Sequence, residues 1–151
     1  MFKNIRYLFK KLGTTDISSI GDGSLTGAID ELNSNVVVLY NNSSASVSDD
    51  AITLSDSVDN YRRITIYYKD NDTVFNSVEV FEPYNKDIML TIPHFNSGRD
   101  AMHIKAQIRR ISGSQLGTAT RSGQFNVYAS GNPSIQTTSY IAVTTVVGYK
   151  Q

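Results

Sequence analysis

Residues 63–81 read RITIYYKDNDTVFNSVEVF, and the alternation in them decides the fold class. Ile64, Ile66 and Tyr68 alternate with Arg63, Thr65 and Tyr67. After the turn cluster Lys69 to Asp72, Val78 and Val80 alternate with Ser77, Glu79 and Phe81. Successive side chains of a strand point to opposite faces, so this period of two predicts half-buried strands joined by a turn. The pattern recurs downstream. Ile88, Leu90 and Ile92 repeat it, as do Ile104, Ala106 and Ile108 set against His103, Lys105, Gln107 and Arg109. Phe125, Val127 and Ala129 follow, then Ile141, Val143 and Val147. Turn clusters at Pro83 to Lys86, Asn96 to Asp100, Ser112 to Gln115 and Gly131 to Pro133 separate the runs. Short strands with one apolar face each bury that face only by meeting a second sheet. The expectation for residues 51–151 is a mainly β, antiparallel β-sandwich, jelly-roll-like, with the apolar set of every strand turned inward. The last strand is apolar on both faces from Val143 to Val147, which suits a central place or a neighbouring subunit.

Toward the N-terminus the period changes. Leu25, Ile29, Leu32, Val36 and Leu39 are spaced four, three, four, three, a heptad seam with leucine at d and Ile29 and Val36 at a. Ser24 is the candidate N-cap. So short a seam holds no coiled coil by itself in water. It would register an oligomer whose main interface lies elsewhere, or pack within its own chain. The β-branched run Val36-Val37-Val38 can fray the helix or turn it into a strand. Residues 41–50, NNSSASVSDD, read as a polar linker. At the start, Phe2, Ile5, Leu8, Phe9 and Leu12 recur at helical spacing among Lys3, Arg6, Lys10 and Lys11. A basic amphipathic helix of this kind docks on its own domain, on a sister subunit, on a larger assembly or on a membrane surface. Residues 1–50 are therefore expected to form a short N-terminal helical segment for attachment and oligomerisation, with its linker.

Composition narrows the function classes. A length of 151 residues suits one ordinary domain. The 14 basic and 14 acidic residues cancel, which removes any general attraction to nucleic acid or an anionic membrane. The chain has no cysteine, so disulfides, thiolate metal sites and cysteine nucleophiles are excluded. No apolar run approaches the roughly 20 residues of a membrane-spanning helix. The opening MFKNIRYLFKKLG lacks the apolar stretch and cleavage site of a signal peptide. Folding in a cytoplasm without membrane insertion is expected.

Catalytic and metal signatures are weak. His94 and His103, the two histidines, flank a loop cluster, and no nucleophile elbow accompanies them. Asp70-Asn71-Asp72 begins like a calcium loop. It then places Phe75 where glycine is needed and Phe81 where a bidentate glutamate is needed. A hairpin turn accounts for it better. Glu79 and Glu82 fall on opposite faces of an ideal strand, which disfavours a paired-carboxylate glycosidase site. By the same parity Arg109 and Arg110 form no single basic patch. No catalytic residue, cofactor or metal is assigned. Tyr61, Tyr67, Tyr84, Tyr128 and Tyr140 form a candidate ligand surface, because exposed phenol rings stack on sugars while their hydroxyls keep a partner.

Three stretches carry a resemblance. IGDGSLTGAIDELN at residues 20–33 resembles a short helix-forming stretch of tailed-bacteriophage virion proteins. SYIAVTTVVGYK at residues 139–150 resembles the closing strand of phage tail-fibre and minor structural β-domains, and the pattern from Tyr61 to Pro83 is similar. The resemblance implies a non-enzymatic virion protein, a fibre or receptor-binding component made in the host cytoplasm. It implies a homotrimer, although isoleucine or valine at a with leucine at d favours two strands. It also implies contacts with other virion proteins, while it fixes neither the position on the particle nor the ligand, for which a host-surface glycan is a candidate. Because many fibres are far longer, a head fibre, a collar component or a capsid decoration protein fits the length. A carbohydrate-binding module and a glycan-degrading enzyme are the alternatives from other classes.

Overall fold

The helical spacing around Leu25 produces one short helix and then stops. The computed structural model describes residues 23–71, 73–95, 101–128 and 131–150, and its helix α1 runs Leu25–Ser34. Ser24 caps it as expected. Its hydroxyl accepts from the Gly27 amide at 2.9 Å, and its carbonyl accepts from the Ala28 amide at 2.9 Å. Strand β1, Val36–Asn41, follows at once. Val36, Val37 and Val38 lose side-chain freedom in a helix and fit a pleated surface, so the backbone switches there. This corrects the heptad seam, since Val36 and Leu39 belong to a strand and Leu39 is buried in the sandwich core. The chain divides into two compact units between Asn35 and Val36. The β-unit thus begins at Val36 rather than at residue 51, and residues 41–50 lie inside it. The expected helix with Phe2, Ile5, Leu8, Phe9 and Leu12 falls outside the described residues.

The β-unit continues with β2 (Ile52–Thr53), a 3-10 turn (Val58–Asn60), β3 (Arg63–Asp70) and β4 (Phe75–Phe81). Then come β5 (Lys86–Phe95), β6 (Ala101–Ser112), β7 (Gln115–Leu116), β8 (Arg121–Tyr128), β9 (Ser134–Gln136) and β10 (Ile141–Tyr149). Every pairing among them is antiparallel. One sheet has the order β1-β10-β3-β4, so β10 is central, as its two apolar faces require. The six-stranded sheet is built around β6. Strand β5 lines one side of it. On the other side β8 and then β9 flank its first two-thirds, and β7 and then β2 flank its end. The two sheets form an antiparallel β-sandwich.

Register explains the core. Ile64 opposes Val80 and Ile66 opposes Val78 across the β3–β4 hairpin, which puts all four on one face. Ile88, Leu90 and Ile92 of β5 come from the facing sheet into the same cluster, with Ile111 and Leu116. Burying each such side chain contributes about 1.5–3 kcal/mol. The hairpin between β6 and β7 turns at Ser112-Gly113-Ser114, with Gly113 at φ 53°, a left-handed conformation that glycine adopts without strain.

Strand β6 overturns one expectation. Its buried positions are Ala101, Lys105, Gln107, Arg109 and Ile111, so the polar set of the alternation faces inward. Register leaves no other parity, because Ile88, Leu90 and Ile92 sit directly opposite Arg109, Gln107 and Lys105 on the same face. Ile104, Ala106 and Ile108 therefore point out.

One position in the core admits no side chain. Gly148 of β10 lies opposite Ile64, and a Cβ built on it would overlap the Tyr61 ring. Gly148→Ala is expected to destabilise the sandwich by about 1–3 kcal/mol through overpacking. A lower urea midpoint at unchanged slope would register it, and an unchanged midpoint would show that the ring yields freely.

Candidate functional site

The inner row of β6 stays buried because nearly every donor on it is met. Arg109, 1% exposed, gives Nε to the Gln107 side-chain oxygen at 2.6 Å. Its terminal nitrogens donate to the carbonyls of Asp50 at 2.6 Å, Gly117 at 2.9 Å and Ser48 at 2.7 Å. Gln107 donates to the Ser48 carbonyl at 2.9 Å and the Asp49 carboxylate at 2.8 Å. Asp49 also accepts from the Ser122 hydroxyl. Residues 48–50, read from sequence as linker, are thus the interior partners of β6. A guanidinium is planar with five donors, which suits it to three carbonyls at once. Burial pulls the Arg109 pKa below its ordinary value, and the charges of Asp49 and Asp50 pull it back up.

At the other end of the row, Lys105 donates to Asp70 Oδ2 at 2.9 Å and to Asn71 Oδ1 at 2.8 Å. Both charged side chains are essentially inaccessible. His94 Nδ1 lies 3.3 Å from the same Asp70 oxygen, and His94 pairs in register with His103, their rings edge to face at 5.4 Å. Asp70 Oδ1 accepts from the Val74 amide at 2.9 Å, which closes the β3–β4 turn. The apparent calcium loop is therefore a hairpin whose first aspartate is engaged by a lysine. The structure brings His94, His103 and Asp70 together, a constellation that spacing alone did not show. Lys105 sits beside them and shares Asp70 Oδ2 with His94. Among the described residues no group of three or more histidines and carboxylates is placed to hold a metal ion.

The outer face of the same sheet is the reverse of its interior. Ile104 opposes Phe125 and Pro93; Met102 opposes Val127 and Phe95; Ile108 opposes Met89. Ile135 of β9 extends the row beyond Phe125. Met89, Phe95 and Ile135 are 59%, 65% and 72% exposed. Ala106 and Gly123, opposite each other, leave a shallow cavity of about 220 Å³ between Met89, Ile108, Phe125 and Ile135. Charges gather at one end, where Arg110 meets Asp87 at 3.2 Å and Arg121 sits opposite Ile108. The outer face of the four-stranded sheet mixes exposed Val36, Val38, Phe75 and Phe81 with charge, Arg63 being paired to Glu79 at 2.8 Å and stacked over the Tyr149 ring at 4.1 Å.

The remaining expected site residues scatter. Tyr61 is 4% exposed in the core, which removes it from the candidate ligand surface; burial of its ring outweighs display. Its hydroxyl donates to Asp56 at 2.9 Å. Tyr67 lies on β3, Tyr84 in the β4–β5 turn, Tyr128 at the end of β8 and Tyr140 just before β10, so they form no single platform. In the helical unit Leu25 and Ile29 are exposed, on the same helix as Leu32. Arg109 and Arg110 lie on opposite faces, as their parity requires. The signal that would have found the outer face was the unbroken apolar set itself, read without assuming that it points inward. Comparison with known protein families, with curated proteins and with solved structures returns no match to this chain.

Two tests follow from these contacts. Lys105→Met removes the cation from a buried carboxylate and is expected to cost about 3–5 kcal/mol, with part recovered when Asp70→Asn is added. Urea unfolding of the single and double variants checks it; additive losses would rule out the coupling. Burial first, and then the hydrogen bond to Asp56, push the Tyr61 pKa up to about 12 from 10.0. The folded chain then holds this proton more tightly than the unfolded one. Its contribution is complete below pH 10 and is lost as pH rises through 12. Tyr61→Phe should flatten that alkaline limb of a stability–pH curve, and a limb identical to the parent's would contradict the assignment.

Proposed function

We propose that this chain is a non-enzymatic structural component of a tailed-bacteriophage particle, fibre-like, that displays its β-sandwich at the virion surface for assembly or host attachment. The observation that carries the reading is the inverted six-stranded sheet, which puts its polar residues inside and offers a continuous apolar face outside. Monomeric proteins rarely expose contiguous apolar patches beyond a few hundred Å², and larger ones mark association surfaces. A face of this kind supports a place in a larger assembly. The phage setting rests on the resemblances at residues 20–33, 61–83 and 139–150. In that setting Phe2, Ile5, Leu8, Phe9 and Leu12 would attach the chain to other virion proteins, and the sandwich would be presented outward in several copies, trimeric by the same resemblance. Multiple copies on one particle give avidity to individually weak contacts.

Electron microscopy of intact particles labelled with gold-conjugated antibody to the sandwich tests this. Label at a fixed position on the particle is the expected result. Label confined to the soluble fraction of the lysate, with clean particles, would overturn it.

A further inference from the structure

The geometry points to the outer face of the six-stranded sheet as the surface by which copies of this chain associate, so the partner it fits is a second copy of itself. The inference rests on the assembly reading above and names its interface.

Chemistry restricts the occupant. The centre of the face carries no charge, and its ion pair and Arg121 stand at one end as a rim. An apolar centre with a polar rim is the anatomy of a specific protein interface. An anionic membrane or an acidic partner would be met by a cluster of lysines and arginines in the centre, which this face lacks. A partner must instead expose an equal area of apolar surface without charge. The same face of another copy does so, and it places no unpaired charge against apolar atoms.

Size and relief agree. Taking ~200 Å² for a large apolar side chain, Met89, Phe95, Phe125, Val127 and Ile135 alone present roughly 500 Å² at their exposures. With the half-buried residues between them the face approaches the roughly 600 Å² per partner at which specific interfaces begin. The hollow over Ala106 and Gly123 adjoins Ile135, the most exposed side chain of the face. A rotation axis through the face brings the knob of each copy toward the hollow of the other.

The full chain at micromolar concentration, measured by size exclusion with light scattering, is expected to have the mass of two or three copies. Ile135→Asp and Phe125→Asp should lower that mass about two- or threefold, to one copy, as a closed cyclic assembly requires. Near-ultraviolet circular dichroism should stay unchanged in both. Phe81→Asp, 60% exposed on the four-stranded sheet, should keep the assembled mass. Ala106→Cys gives an independent measurement, because it would be the single thiol of the chain. Its maleimide labelling should be slow in the assembled protein and speed up on dilution. A monomeric parent, an assembled mass retained by both aspartate variants, or labelling that ignores concentration would each overturn the interface. A monomer that still labels particles sinks this inference and spares the virion reading; an assembly missing from particles does the opposite.

Discussion

The buried Arg109 constrains more of the sandwich than any other side chain. A guanidinium removed from water is stable only when its donors are met. Here it spans the Ser48, Asp50 and Gly117 carbonyls and the Gln107 side chain. Those contacts hold residues 48–50 against β6 and bring the chain after β7 to the same point. Gln107, Asp49 and Ser122 extend the network toward β8. Satisfied in this way, a polar interior rigidifies a fold; partly satisfied, it would be worse than an apolar one.

That constraint propagates outward. Once Lys105, Gln107 and Arg109 point in, strand geometry forces Ile104, Ala106 and Ile108 to point out. Register carries the inversion to β8, where Gln124 and Asn126 are buried and Phe125 and Val127 are exposed. Strand β5 escapes it on the inside, because Ile88, Leu90 and Ile92 still join the core. The apolar outer face is therefore the geometric consequence of the polar inner row, and exposing it has a thermodynamic cost. At about 25 cal/mol per Å², roughly 500 Å² left in water forgoes on the order of 12 kcal/mol of burial, which association recovers in part.

The two ends of the inner row differ in kind. Around Arg109 the partners are mainly backbone carbonyls, whose positions the chain trace sets. Around Lys105 they are side chains, Asp70 and Asn71, with His94 beside them. The first arrangement locks a segment in place. The second ties the β3–β4 turn to the middle of β6 through a buried ion pair.

Strands β3 to β6, β8 and β10 were legible in the sequence because alternation arises locally. By contrast β2, β7 and β9, two or three residues long, are too short to show a period, and β1 was hidden in the heptad spacing. Period-two alternation follows from the pleat, and Ser112-Gly113-Ser114 turns because glycine tolerates a positive φ. The cap at Ser24 and the central place of β10 were legible for the same kind of reason. Alternation, however, is symmetric: it separates two faces of a strand and does not say which one meets the core. That choice was made by residues 48–50, 59 to 61 positions upstream of Arg109, whose carbonyls and carboxylate make a polar interior affordable. The end of α1 was decided in the same way. Leu39 continues a heptad on paper, but β10 offers its neighbours a ladder of hydrogen bonds and the core offers Leu39 full burial. Long-range partners settled both matters, and no local pattern encodes a partner that distant.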